Sequence, residues 1–330
     1  MPIFRLNKAF GVGRGVKAFF GVYGGATRGE VPDPWRSQKA AKTITKKNRQ
    51  IYLLRKQLKA QREDLSQLRN GGSLPDFVVI GAMRGGTTQF YDLLTRHPFV
   101  KPAAAKELHF FDDPDRYERG LDWYRGCFPQ PAQRDGRATI TGEATPRYLL
   151  DLLAPERMAR TVPDAKLFVL LRNPVDRAYS QYTRWARRGK DVPSFEEAVE
   201  EELAWLSAEE AGRSAREVHP GAGRGRRRFY LLARGIYVDQ LARWREHFAQ
   251  EQMLVIKSED FYARQAEILK DAEDFLGLPH REIEIPARKT SRQPIHEYEP
   301  MDPALRQRLD SYFEPHNKRL YEYLGRDFGW

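Results

Sequence analysis

The sequence predicts a three-layer α/β fold, in which a central parallel β-sheet is flanked by helices and preceded by an N-terminal helical arm. Three observations carry this expectation. Apolar runs of strand length lie at residues 77–80, 166–171 and 253–256. Each adjoins a segment with helical apolar spacing: 87–96 after the first, a stretch opening at Pro174 after the second, and 236–248 before the third. Strands that alternate with helices in this way pair in parallel through right-handed crossovers.

From the N-terminus, residues 1–72 read as a basic segment and arm, and 73–330 as one domain with a sizeable core. Arg5, Lys8, Arg14 and Lys17 precede an apolar stretch at 18–27 that is far short of the roughly 20 residues needed to span a bilayer. That segment suits peripheral membrane contact. Over 36–69, Ile44, Ile51, Leu58 and Leu65 recur every seven residues, with Leu54 and Leu68 at two of the intervening positions and Lys47 and Gln61 at the others. Such a partial seam suits either packing on the chain's own domain or a homo-oligomer. Asn70, Gly71 and Gly72 then end the helix. The Gly/Arg-rich stretch 221–228 reads as a loop.

Lys plus Arg number 56 against 45 Asp plus Glu, a net charge of +11 that favours phosphorylated or polyanionic partners. Charge alone does not choose among nucleic acid, membrane, nucleotide and acidic sugar. The single cysteine, Cys127, excludes an intramolecular disulfide, and no Cys/His cluster has zinc-ligand spacing. A reducing, cytoplasmic compartment fits.

The stretch GAMRGGTT at 81–88 sits between the first strand and its helix, where backbone N–H groups and the helix N-terminus bind phosphate. Gly81 and Gly86 match the outer glycines of a P-loop, but Thr87 stands where its lysine belongs, and the basic residue lies upstream at Arg84. The second strand ends in Arg172 rather than in an acidic Mg²⁺ ligand. Two phosphate-seeking strand ends without a metal ligand suit a nucleotide with separate phosphates that gives up something other than phosphoryl. The residues also leave open a P-loop phosphotransferase, or a non-catalytic protein that binds nucleic acid or a membrane surface.

With these motifs the sequence resembles the PAPS-dependent sulfotransferases (PAPS, 3′-phosphoadenosine 5′-phosphosulfate). GAMRGGTT is similar to their 5′-phosphosulfate loop, and LRNPVDRAYSQY at 171–182 to their 3′-phosphate motif. KELHFFDDPDRYERGLDWYRGCFP at 106–129 and HNKRLYEYLGRDFGW at 316–330 resemble the heparan sulfate branch. The resemblance covers most of 76–330. It implies a P-loop-like fold, PAPS as donor, no metal, and a carbohydrate or glycolipid acceptor rather than nucleic acid.

By that resemblance Glu107 is the expected general base, with His109 as acceptor-orienting group or alternative base. Arg84 is expected at the sulfonate, the backbone of Gly85, Gly86, Thr87 and Thr88 at the 5′-phosphate, and Arg172 and Ser180 at the 3′-phosphate. Arg292 is a second expected ligand there. Arg147, Arg184 and Arg188 are expected to line an acceptor groove, a solvated helix face being the alternative. Phe110, Phe111, Trp123, Tyr124 and Phe128 read as core rather than as a sugar platform. Three departures stand out: arginine replaces the family's usual lysine at Arg84, GEATPRYL carries Ala144 in place of a lysine, and Cys127 has no disulfide partner.

Overall fold

The structure, a computed structural model, describes residues 72–187, 192–210, 230–286 and 301–330. The arm over 36–69, the loop over 221–228, Arg188 and Arg292 lie outside the described residues. Strand β1 (Phe77–Gly81) leads into α1 (Thr87–Leu94), followed by β2 (Val100–Pro102), α2 (Pro114–Tyr117) and α3 (Gly120–Gly126). A short hairpin, β3 (Gln133–Arg134) and β4 (Arg137–Ala138), precedes β5 (Ile140–Ala144) and α4 (Ala154–Thr161). Then come β6 (Lys166–Leu171), α5 (Pro174–Ala186), α6 (Phe195–Glu210), α7 (Tyr237–Arg245) and β7 (Met253–Lys257). Helices α8 (Ser258–Ala263), α9 (Gln265–Leu276) and α10 (Pro303–Leu324) complete the described chain.

The sheet is parallel throughout, in the order β2-β5-β1-β6-β7. Its central strand is buried on both faces, which is why 77–80 reads as an unbroken apolar run. Val78 and Ile80 join Leu167, Val169 and Leu171 in one core, whereas Phe77 and Val79 join Phe168 and Leu170 in the other. Strand alternation thus divides one run between two layers. A third core, with Val175, Leu232, Leu309 and Phe313, joins α5, the 231–232 segment and α10.

The three expected strands are all present, and two more flank them. β2 is only three residues long. β5, ITGEA, contains Gly142 and Glu143, so it lacks an apolar pattern. Gly142 is there for space: a Cβ would come within 2.5 Å of the Phe77 carbonyl oxygen. Asn173 caps α5 by accepting from the amides of Val175 and Asp176, with Pro174 in the first turn.

Candidate active site

In a parallel sheet, loops that follow the strands gather at the C-terminal edge, and here the segments after β1, β2, β5, β6 and β7 supply candidate groups. Beyond β1 the chain turns tightly. The Ala82 amide donates to the Leu170 carbonyl at 2.8 Å and the Gly85 amide to the Ala82 carbonyl at 2.9 Å. Gly86 then caps α1 at φ 92°, with no side-chain cap and no acidic residue in the first turn. The leading amides of α1 are therefore left to an external anion. Gly85 has no room for a side chain, since a Cβ would lie 2.4 Å from the Leu170 carbonyl oxygen. The Ser258 hydroxyl, at the start of α8, donates to the Gly85 carbonyl and fixes the loop from the far side.

Arg84, Arg172 and Ser180 come together. Arg84, itself at φ 73°, donates from Nε to the Ser180 hydroxyl at 3.0 Å. Arg172 Nη1 lies 3.5 Å from the Arg84 carbonyl oxygen. Arg84 thus spans from the phosphate loop to the serine of the second motif rather than standing alone at a sulfonate position. Arg177, one turn before Ser180, is fully buried, and its Nη2 donates to the Leu231 carbonyl. Burial, then repulsion from Arg172 and Arg84, pulls its guanidinium below the ordinary arginine range, although Tyr237 and Glu202 oppose this. Thr87 is buried and Thr88 exposed at the mouth of the loop.

The acid–base candidates lie across the edge from this cluster. The Glu107 amide donates to the Ala144 carbonyl at 3.0 Å, which ties the segment to the end of β5. Two residues apart, Glu107 and His109 would share a face if the segment were extended. The structure corrects this: both residues are left-handed, at φ 55° and 53°. The turn still brings the side chains together, with His109 Nε2 3.7 Å from Glu107 Oε2 and Nδ1 3.0 Å from Asp112 Oδ1. Arg147 Nε pairs with the other Asp112 oxygen at 3.1 Å.

These contacts set the charges. Burial opposes a charge on His109, but the hydrogen bonds to Asp112 and Glu107 prevail and raise it to about 9. The imidazole is therefore cationic at neutral pH. Already protonated there, it has no free lone pair with which to take up a further proton. Hydrogen bonding from His109 in turn holds Glu107 below the usual carboxylate range, with Arg184 and Arg147 adding to the effect. Arg184 is exposed on α5. Burial, together with Arg177 and Arg147, also depresses Arg234, in the turn at 233–235.

Sequence reasoning missed Asp112, Ser258 and Arg234, and did not single out Glu143. Asp112 lies in the run FFDDPD, where three acidic residues look alike; only burial distinguishes Asp112, whose side chain is fully enclosed. Phe110, Phe111, Trp123, Tyr124 and Phe128 are buried, as the core reading expected.

The sulfotransferase domain family matches residues 74–319. The chain belongs to the sulfotransferase family. It is 31% identical over 288 residues to the human heparan sulfate glucosamine 3-O-sulfotransferase 3A1, covering 81% of this chain and 65% of that relative. It is 28% identical to the membrane-associated sulfotransferase kil1 of Dictyostelium discoideum, covering 78% of this chain and 66% of that relative. The chain spans about two thirds of the length of these curated relatives. The crystal structure of a sulfotransferase from Alicyclobacillus acidocaldarius superposes with a TM-score of 0.57 at 28% identity, covering 78% of this chain and 98% of that one. Among the described residues of this family member, no helix is long and apolar enough to cross a membrane.

Proposed function

We propose that this sulfotransferase-family chain moves a sulfuryl group from PAPS to a hydroxyl or amine of an acidic carbohydrate, with Glu107 as general base. The observation that carries the reading is convergence at one sheet edge: Arg84, Arg172 and Ser180 on one side, and the Glu107, His109, Asp112 and Arg147 chain of contacts on the other.

The residues present fit the donor. The uncapped amides at Gly86, Thr87 and Thr88, beside Gly85, suit its 5′-phosphate, while Arg172 and Ser180 suit its 3′-phosphate. We assign Arg292, outside the described residues, to the same phosphate. When bound, PAPS supplies the sulfuryl group. Glu107 accepts the proton of the attacking acceptor group. His109, kept cationic by Asp112, orients Glu107 and adds positive charge where sulfonate charge develops. Arg84, held to Ser180 through Nε, is assigned to the sulfonate.

Arg184 and Arg147 both act electrostatically on Glu107, and Arg234 is repelled by Arg147, so positive charge gathers around this chemistry, which supports an anionic acceptor. Arg188, outside the described residues, is assigned to the same acceptor groove. The names of the relatives support a glycan acceptor, and kil1 supports peripheral membrane contact by the basic N-terminal segment of an otherwise cytoplasmic protein. The test is transfer of labelled sulfate from PAPS to a panel of acidic glycans and glycolipids, read by mass spectrometry. Alongside it, calorimetry in EDTA should give far tighter binding of 3′-phosphoadenosine 5′-phosphate than of ATP. Equal affinities, or no transfer to any acceptor, defeat the proposal.

A further inference from the structure

The segment that carries Glu107 and His109 lies outside any helix or strand, and two of its non-glycine residues are left-handed. Something must hold such a conformation in place. Three amides do so: Glu107 N–H on the Ala144 carbonyl, His109 N–H on the Thr145 hydroxyl at 3.4 Å, and Phe110 N–H on the Tyr148 hydroxyl at 2.9 Å. The last two acceptors are hydroxyls. A hydroxyl presents a lone pair to an amide reliably only when its own hydrogen is directed elsewhere. Both hydrogens go to one carboxylate, Thr145 Oγ1 to Glu143 Oε2 at 2.6 Å and Tyr148 Oη to Glu143 Oε1 at 3.1 Å. Tyr124 Oη adds a third donor to Oε1 at 2.8 Å.

We propose that Glu143 is a positioning residue, whose buried carboxylate fixes the direction of the Thr145 and Tyr148 hydroxyls and through them the geometry of Glu107 and His109. Glu143 has no exposed surface. Ionised, it only accepts, so all three hydroxyls must point inward and none can rotate to compete for the amides. A neutral amide in its place would turn one donor toward a hydroxyl and reverse that bond. This is a chemical reason for a carboxylate in a fully buried position of β5, where burial raises its pKa and only the hydroxyls of Thr145, Tyr124 and Tyr148, with the charge on His109, oppose the rise.

The catalytic consequence rests on the assignment of Glu107 as base, so the test separates the two ideas. Glu143→Gln, Thr145→Val and Tyr148→Phe are compared with the wild-type chain for binding of 3′-phosphoadenosine 5′-phosphate, for turnover, and for His109 titration by NMR. Nucleotide affinity is expected to stay within about twofold, because the phosphate groups are held by other elements. Turnover should fall about tenfold or more in Glu143→Gln, as expected when reacting groups lose alignment. It should fall less in each hydroxyl variant, and in their double variant it should approach the Glu143→Gln level. His109 should titrate at lower pH in the double variant, which keeps the Glu143 charge, as its contacts with Asp112 and Glu107 loosen. Glu143→Gln also removes a charge that His109 feels, so the double variant is the discriminating readout, and residues that merely fill the core would leave that titration in place.

Tyr148→Phe and Thr145→Val keep the core volume, so they decide the matter even if Glu143→Gln does not fold. Wild-type turnover and an unshifted His109 in both variants and in their double overturn the proposal. A wild-type chain that transfers no sulfate from PAPS defeats the base assignment instead, and the His109 titration then decides the positioning role alone.

Discussion

Glu107 and His109 set each other's charge, and the pH dependence follows from that pairing. Activity should have an acid limb below the ordinary carboxylate value of 4.5, where Glu107 takes up a proton. It should also have an alkaline limb near the His109 value of about 9. Glu107→Gln keeps shape but cannot accept the proton, so turnover should fall by about 10² to 10⁴, with donor affinity unchanged in calorimetry. His109→Ala should remove the alkaline limb and cost less. The sign for stability is equally fixed: the raised value makes His109 stabilising below its unfolded value near 6.5, and that contribution is lost as pH rises through about 9. At the other end of the site, Arg172→Ala removes a charge-assisted contact worth roughly 1.5–3 kcal/mol, a loss of about tenfold to a hundredfold in affinity for 3′-phosphoadenosine 5′-phosphate. An unchanged dissociation constant would take Arg172 out of the site.

Among the elements, the phosphate loop and α6 are the two whose packing can be tested by single substitutions. Gly85 touches backbone rather than a flexible side chain, since its missing Cβ would strike the Leu170 carbonyl at 2.4 Å. Gly85→Ala should therefore push the loop off β6, cost about 1–3 kcal/mol in denaturant melts, and weaken nucleotide binding by more than the stability loss alone explains. On α6, Glu202 is buried and accepts the amides of Leu231, Leu232 and Ala233 at 2.6, 3.0 and 2.9 Å. It thereby anchors the strand of chain that returns to the core before α7 and carries Arg234. Glu202→Ala strands three donors, two of them buried, and each buried one costs about 1–3 kcal/mol, so a loss of at least about 2 kcal/mol in melting experiments is expected.

For the whole molecule, the candidate groups that the structure describes fall between Arg84 and Ser258, within the residues that build one parallel sheet and its helices. Among the described residues, Ser73 already packs on the domain, its amide donating to the Pro129 carbonyl at 3.2 Å. Removal of residues 1–71 should accordingly leave nucleotide affinity unchanged. If the heptad-spaced Ile44, Ile51, Leu58 and Leu65 serve self-association, the same truncation should lower the mass seen by light scattering. Loss of nucleotide binding on truncation would make the arm part of the catalytic domain.

Much of this was legible in the chain itself. The double-sided burial of β1 and β6 is written as continuous apolar runs, and GAMRGGTT and LRNPVDRAYSQY mark candidate anion-binding strand ends because glycine, arginine and serine at those spacings have a local physical meaning. Glu107 stands out by its motif, and its role as base is a proposal. The elements that escaped notice lack such local signals. β5 is part of the sheet because Gly142 lets Phe77 approach, a relation across 65 residues. Likewise, nothing near Asp112 in sequence announces that it binds both His109 and Arg147, and nothing near Glu143 announces three converging hydroxyls. The sequence determined the three apolar strands of the sheet, the glycine- and arginine-bearing turns after two of them and the residue types available for chemistry, because those depend on short-range pattern. Only the tertiary structure decided which of these groups are charged, which are paired and which way they face, because ionisation and orientation depend on burial and on neighbours brought together from distant parts of the chain.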